Sequence, residues 1–217
     1  DVYKRQIKGG GKQDPADATG IAHYLEHMLF KGTDKLGTVD YESEKVYLDS
    51  IEYLYDELGR EFDESKRNAI QEKINTLNIK ASDFAIPNEF DRLAEGFGST
   101  GVNDFTSNDI IAYVSSFPPH QMRKWLELNT HRFENPVFRL FQSELETVYE
   151  EKNRAMDNTF RVMFEEFFRN FFKKHPYGQQ TVLGTKEHLK NPSIKKMKED
   201  YDSYYIANNM TLMLSGN

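Results

Sequence analysis

Two histidines and a glutamate share one face of a predicted helix near the start of the chain. His23, Glu26 and His27 form the pattern H-x-x-E-H. At 3.6 residues per turn the imidazoles lie one turn apart, with the carboxylate beside them. The opposite face is apolar and carries Ile21, Leu25, Met28 and Leu29. Imidazoles at this spacing can bind one zinc ion, and the carboxylate can reach a water on the metal. The pattern therefore favours a zinc-hydrolase site.

A simpler interpretation of the same residues is a solvated helix face on which Glu26 and His27 form an incidental ion pair. Short motifs occur by chance, so the five residues alone leave both interpretations open. Their order is the inverse of H-E-x-x-H and is typical of the inverted zincins. Landmarks elsewhere in the chain have to decide between the two.

The composition narrows the classes of protein and of metal site. The 217 residues suffice for one domain with a proper core. A net charge of -7 argues against a dedicated nucleic-acid-binding protein, so we expect no nucleic acid as partner. The chain has no cysteine, which excludes disulfides and thiolate ligands and leaves His, Asp and Glu as strong ligands. No apolar run is long enough for a membrane span.

The first residues, Asp1 to Gln6, resemble translated adapter sequence. We therefore expect residues 1–6 to be an artefact that replaces an upstream strand, with an ordinary frayed start as the alternative. The natural N-terminus is expected to be truncated.

A strongly charged helical hairpin is predicted from about Val39 to Asn78. Two apolar stripes support it, with a break between them and Asp63 as the N-cap of the second helix. Their members are Leu48, Ile51, Leu54, Leu58, Ile70, Ile74 and Leu77. We interpret residues 39–86 as a helical insertion, and a partner-binding or membrane-surface element is the alternative.

Beyond this hairpin the pattern predicts strands and helices in alternation. Strands are expected at Ile110 to Val114 and Met210 to Gly216, and helices at Pro119 to Arg132, Phe141 to Phe172 and Ile194 to Tyr205. In the longest helix, Glu144 and Glu151 are seven residues apart and share one face. The same helix carries an aromatic stripe, expected in the core, of Phe160, Phe164, Phe167, Phe168 and Phe171.

Taken in order, these landmarks resemble the pitrilysin, insulysin and mitochondrial processing peptidase family of inverted zincins over nearly the whole chain. The residues that carry the resemblance are His23 to Thr33, Asn103 to Ser107, Glu144 with Glu151, His175 to Gly178, and Tyr204 to Gly216. The resemblance implies an α+β fold: a single α/β-roll domain with an antiparallel-rich sheet and helices packed on one face. It identifies 1–217 as the N-terminal zinc-peptidase domain of a longer protein.

The resemblance also implies roles for individual residues. His23, His27 and Glu151 would bind Zn²⁺, and Glu26 would be the general base that activates a zinc-bound water. Glu144 matches a catalytic-site carboxylate that supports a ligand histidine. Asn103 and Phe105 match a substrate-binding segment beside an edge strand. Because family members hold the peptide as an added strand there, the region Ile110 to Val114 is the candidate for strand addition.

The implied function is a zinc-dependent endopeptidase that hydrolyses peptide bonds in peptides or unfolded segments. Its implied partners are a peptide substrate and either the missing C-terminal domains or a partner subunit, without which the fragment need not be active. A bacterial periplasmic or cell-envelope location is expected from the resemblance. The alternative is a non-catalytic, peptidase-like scaffold or partner-binding subunit. A di-iron carboxylate protein is set aside because no histidine has a glutamate three residues before it.

Overall fold

The computed structural model describes residues 2–216, with side chains from residue 6 onward. Its strands are β1 (Val2–Ile7), β2 (Thr100–Thr106), β3 (Ile111–Ser116) and β4 (Met210–Ser215). Its helices are α1 (Ile21–Met28), α2 (Tyr41–Arg60), α3 (Glu64–Ser82), α4 (Glu89–Gly96), α5 (Met122–Arg132), α6 (Phe141–Met156), α7 (Thr159–Phe171), α8 (Pro176–Gln179), α9 (Lys186–Lys190) and α10 (Ile194–Tyr204).

The four strands form one antiparallel sheet in the order β2-β3-β1-β4. Lys4 of β1 lies opposite Val114 of β3 on one side and Met213 of β4 on the other. The pairing of β2 with β3 is interrupted between Thr100 and Asn103 by a change of register. The helices outnumber the strands, and the predicted α+β fold with an antiparallel sheet is confirmed.

The central strand β1 includes most of the segment predicted to be an artefact. Its backbone pairs on both sides over residues 2–7. This pairing does not test whether residues 1–6 belong to the natural sequence, so that expectation stays a prediction. Asp1 lies outside the described residues.

Helix α1 is positioned by its apolar side, which packs against the sheet. It contacts β2 and β3, and its side chains share the core with Ile7 and Ile111. The buried members on the helix and just after it are Ile21, Leu25, Met28 and Leu29. Burial of each such side chain contributes on the order of 2 kcal/mol. The helix is thereby held with its His and Glu side chains turned away from the core.

Helices α2 and α3 pack against each other as a hairpin, as the two apolar stripes predict. The carboxylate of Asp40 accepts a hydrogen bond from the Ser43 N–H, and that of Asp63 from the Lys66 N–H. Each helix therefore begins at a side-chain cap that satisfies one of its free amides. That the hairpin is an insertion stays a prediction. No described helix is both long and apolar enough to cross a membrane.

The prediction of one continuous helix from Phe141 to Phe172 is wrong, because the segment forms two helices. Helix α6 ends at Met156, and α7 begins anew at Thr159, where the Asn158 side chain accepts a hydrogen bond from the Arg161 N–H at 3.1 Å. Apolar periodicity continues across this break, but the capping asparagine favours a new helix start.

The aromatic stripe of α7 also lies elsewhere than predicted. It was expected in the core, yet Phe160, Phe164, Phe167 and Phe171 are each more than half exposed. Helical spacing shows that side chains share a face, but it does not show which neighbour covers that face.

Candidate functional site

The N-terminus of α1 is fixed by a buried aspartate and two glycines. Oδ2 of Asp14 accepts a hydrogen bond from the Gly20 N–H at 2.6 Å, and Oδ1 accepts one from the Ala22 N–H at 3.1 Å. Gly20 has a φ of 89°, and a Cβ there would lie 2.8 Å from the Cα of Gly184. Glycine therefore meets both the left-handed conformation and the close backbone approach. Together these contacts set the position from which the two histidines project.

Three side chains bring one donor atom each to a common point. Nε2 of His23 lies 3.3 Å from Nε2 of His27, and Oε2 of Glu151 lies 3.4 Å and 3.5 Å from these two atoms. Among the described residues, this is the single cluster of His, Asp or Glu with the spacing of a metal site. The histidines come from α1 and the carboxylate from α6, and these helices pack together.

Glu144 lies two helical turns before Glu151 on α6 and supports this group of ligands. Its Oε1 accepts a hydrogen bond from Nδ1 of His27 at 2.8 Å, and its Oε2 lies 2.5 Å from Nζ of Lys31. Burial alone would raise the pKa of Glu144, but His27 and Lys31 outweigh it and lower the pKa. Glu144 is therefore a carboxylate that holds the His27 ring with Nε2 directed toward His23 and Glu151. Nδ1 of His23 is buried without a hydrogen-bond partner in the described part of the chain.

The two imidazoles differ in their affinity for a proton. Burial and the neighbouring His27 lower the pKa of His23 to about 4. For His27, burial opposes protonation, but hydrogen bonds to Glu144 and Glu151 raise the pKa to about 9. At neutral pH the pair therefore binds one proton, on His27, in the absence of a cation. A bound metal ion would take the place of that proton, since a ligand histidine has to be neutral.

Glu26 lies beside the donor cluster without belonging to it. It is buried, and its Oε2 accepts a hydrogen bond from the hydroxyl of Thr106 in β2. Burial raises the pKa of Glu26 to about 7, although the Thr106 hydrogen bond opposes the shift. A carboxylate with this pKa can both accept and return a proton near neutral pH.

Asn103 and Phe105 lie on β2, on the same strand as Thr106. Both are exposed, whereas the alternate residues Asp104 and Thr106 are partly buried. Strand β2 is an edge of the sheet. An edge strand presents backbone N–H and C=O groups that a further strand can pair with.

The prediction that Ile110 to Val114 receives an added strand is wrong. This segment forms β3, which is paired with β2 on one side and with β1 on the other, so its backbone groups are already used. The available edge on this side of the sheet is β2.

These residues line one open cleft of about 1480 Å³. One side is formed by the α1 residues His23, Glu26 and His27 with the strand β2. The other sides are formed by α4, by the junction of α6 with α7, and by Val182 and Leu183. All seven predicted site residues therefore lie on the same cleft, although they are up to 128 positions apart in the chain (from His23 to Glu151).

Comparison with known proteins finds similarity to peptidases. The model of the insulinase family, peptidase family M16, matches residues 5–46, which include all of α1. An uncharacterized zinc protease of Rickettsia felis is 22% identical over 212 residues, 97% of this chain and 39% of the relative. The zinc protease PqqE of Helicobacter pylori is 27% identical over 169 residues, 76% of this chain and 37% of the relative.

The chain is thus similar to the insulinase family over residues 5–46 and, over nearly its whole length, to proteins named zinc proteases. The fold agrees: the crystal structure of a protease from Helicobacter pylori superposes with a TM-score of 0.68 at 23% identity, over 97% of this chain and 40% of that one. The chain spans less than two fifths of the length of the curated relatives named above. Its similarity extends over one part of these longer proteins.

Sequence patterns gave no reason to select several residues that support this site. Thr106 contacts Glu26 from a position 80 residues away in the chain. Arg132 is buried, donates from Nε to the Leu29 carbonyl at 3.0 Å and pairs with Asp104 at 2.7 Å. These contacts join the end of α1 to β2. The one signal in the sequence is that Arg132 is a charged residue on a largely apolar helix face. That signal would not have identified Asp104 as its partner.

Arg139 supports the turn that follows α1. It is buried and pairs with the equally buried Glu44 at 2.9 Å. Its guanidinium also donates to the carbonyls of Lys31 and Leu36 at 2.8 Å and of Thr33 at 2.7 Å. A buried guanidinium with this many acceptors fixes the loop that carries Lys31 toward Glu144.

Proposed function

We propose that the chain is the zinc-binding domain of an endopeptidase that hydrolyses peptide bonds in peptides or unfolded segments. One observation carries the proposal. Three donor atoms within 3.5 Å of one another lie beside a buried glutamate, on a cleft bordered by an open strand edge. The zinc proteases among the relatives support the same conclusion.

The donor triangle fits a zinc ion. Zinc binds imidazole nitrogen and carboxylate oxygen at about 2.0–2.2 Å, so two ligands of a tetrahedral site are about 3.3–3.6 Å apart. The three distances among His23, His27 and Glu151 are 3.3, 3.4 and 3.5 Å. Three protein ligands leave a fourth position, as in catalytic zinc sites. We assign His23, His27 and Glu151 as the ligands.

Glu26 is assigned as the general base. When bound, zinc would supply Lewis acidity, which polarises a peptide carbonyl and lowers the pKa of a coordinated water. Glu26 accepts the proton that the attacking water loses and returns it to the leaving amine. Its pKa of about 7 suits both steps, and the Thr106 hydroxyl holds the acceptor oxygen in place. Glu144 acts through His27, whose ring it orients.

The edge of β2 is assigned as the substrate-binding strand. A peptide added there gains backbone hydrogen bonds that do not depend on its side chains, which suits a protease for extended segments. Asn103 and Phe105 are the exposed side chains on this strand and line the cleft. We propose that they contact the peptide beside the cleaved bond.

The surroundings of the domain are also proposed. The chain covers less than two fifths of these relatives, which supports a longer polypeptide. In it, further domains or a partner subunit would complete the substrate-binding chamber. We propose 1–217 as its N-terminal domain, with 39–86 as an insertion. The bacterial relatives support a bacterial source, and a periplasmic or cell-envelope location is the accompanying proposal.

Zinc stoichiometry tests the ligand set directly. Elemental analysis of purified protein should give one zinc per chain for the wild type and for Glu26→Gln, and markedly less for Glu151→Gln. Glu150→Gln is the matched control, since Glu150 is the exposed neighbour on the same helix. Absence of zinc from folded wild-type protein at saturating metal would overturn the proposal.

Cleavage of an unstructured peptide, followed by mass spectrometry, tests the reaction. Wild-type protein should release fragments, and Glu26→Gln with full zinc content should not. Turnover by Glu26→Gln at the wild-type rate would contradict the role of Glu26 as the base.

A further inference from the structure

Two arginines project into the cleft next to the donor cluster. Arg154 near the end of α6 and Arg161 in the first turns of α7 both line it. The charge of Arg154 acts on Glu151, and that of Arg161 acts on His23, so both guanidinium groups are close to the reacting centre. The break between α6 and α7 brings them to the same wall.

Neighbouring carboxylates neutralise only part of the positive charge of this wall. Arg161 lies 3.6 Å from Glu165, which also lies 3.6 Å from Lys152. One carboxylate thus serves two cations. Arg154 makes no side-chain hydrogen bond or ion pair in the part of the chain that the structure describes. Both arginines are exposed, so their guanidinium groups are available to a ligand in the cleft.

Another part of the cleft lining, on α4, has a different charge. Helix α4 contributes Asp91, Arg92 and Glu95 to the lining, with a net negative charge. A peptide in the cleft would therefore experience a more positive potential near α6 and α7 than near α4. Low-dielectric walls concentrate such a field inside a cleft.

We propose that Arg154 and Arg161 form a subsite for an acidic side chain of the bound peptide, close to the bond that is cleaved. A guanidinium presents parallel N–H donors that match a carboxylate, and two of them can hold both of its oxygens. The substrate class is thus narrowed to peptides with Asp or Glu near the cleavage point. This inference rests on the proposed peptidase function.

Binding of matched peptides tests the subsite without turnover. The probes are three fluorescently labelled, unstructured peptides with amidated C-termini, identical except for Glu, Gln or Lys at the centre. Fluorescence anisotropy measures their affinity for zinc-loaded Glu26→Gln protein. In the same background, Arg154→Gln with Arg161→Gln removes the two charges. Arg169→Gln removes an exposed arginine of α7 that pairs with Glu166 and does not line the cleft.

The Glu peptide should bind at least tenfold more tightly than the Gln peptide, and the Lys peptide most weakly. The double variant should bring the Glu and Gln affinities within twofold of each other, with the Gln affinity unchanged. Arg169→Gln should keep the preference. Equal binding of all three peptides, a preference that survives the double variant, or no binding at all would overturn the subsite. Zinc content and cleavage would still decide the peptidase proposal separately.

A peptide with a free C-terminal carboxylate and no acidic side chain distinguishes the source of the anion. It should bind no better than its amidated counterpart. Tighter binding that is lost in the double variant would assign the arginines to a chain terminus and overturn the side-chain subsite.

Discussion

Nδ1 of His27 lies 2.8 Å from Oε1 of Glu144, and Nε2 of the same ring faces His23 and Glu151. The hydrogen bond at Nδ1 thus fixes the orientation of the ring and its tautomer, and with them the role of Nε2. Lys31 holds the second oxygen of Glu144, so the carboxylate is fixed at both ends.

Replacement of Glu144 by Gln should weaken zinc binding by about 10- to 100-fold while the fold is kept. The amide can still contact Nδ1 of His27, but it lacks the charge that increases the basicity of the ring. Competition with a chromophoric chelator measures the affinity. Glu146→Gln, at an exposed position on the same helix, should bind zinc as the wild type does. An unchanged affinity in Glu144→Gln would contradict the supporting role.

The buried ion pair of Arg132 with Asp104 should matter for stability far more than an exposed pair does. The two side chains are 2% and 3% exposed, and Arg132 also donates to the Leu29 carbonyl. Asp104→Ala leaves a buried guanidinium without its counter-charge, which should cost about 3–5 kcal/mol of unfolding free energy.

The exposed pair of Arg123 with Glu127 is the control for that measurement. Glu127→Ala should change the free energy of unfolding by less than about 1 kcal/mol, because water solvates both groups already. Urea denaturation followed by circular dichroism gives both values. Equal effects of the two substitutions would show that the Arg132 pair does not support β2.

The local parts of the site could be predicted from the sequence, because helical periodicity acts within a few residues. It gave the common face of His23, Glu26 and His27 and that of Glu144 and Glu151. The prediction that α1 and α6 meet came from the family resemblance, because the pattern of neither helix identifies its neighbour. The structure brings these five residues together on one cleft.

The order of strands in the sheet could not be predicted in the same way. The segment Ile110 to Val114 has the composition of a strand, but composition does not distinguish an inner strand from an edge. Pairing of β3 with both β1 and β2 decided that question. The contact of Thr106 with Glu26 was missed for the same reason, because it depends on where β2 lies relative to α1.

The aromatic stripe of α7 gives a prediction about stability. Phe141 is buried against Tyr24 and Tyr55, whereas Phe164 is 54% exposed. Phe141→Ala should reduce the free energy of unfolding by about 3–5 kcal/mol, because it leaves a cavity. Phe164→Ala should change it by less than about 1 kcal/mol. Chemical denaturation of the two variants checks the difference, and a large loss for Phe164→Ala would mean that this side chain is packed in solution.

The stability of the fold should decrease as the pH rises, and Asp200 should account for part of this. Asp200 is 7% exposed on α10, and burial raises its pKa to about 7. Nearby Asp14 is also buried, and its pKa is raised to about 8, mainly by burial. Between the ordinary pKa of about 4 and these values, the folded chain binds protons that the unfolded chain has lost. The free energy of unfolding is therefore highest below pH 4 as far as these groups are concerned, and it falls up to about pH 8.

Asp200→Asn removes one of the two acids and should flatten this dependence. The shift of the Asp200 pKa to about 7 corresponds to at most about 4 kcal/mol across the window. Urea midpoints measured from pH 5 to pH 8 should fall less steeply in Asp200→Asn than in the wild type, and the variant should be the more stable protein at pH 8. Asp202→Asn, at an exposed position of the same helix, should keep the wild-type slope. Equal slopes in all three proteins would mean that Asp200 is ionised at little cost in the folded chain.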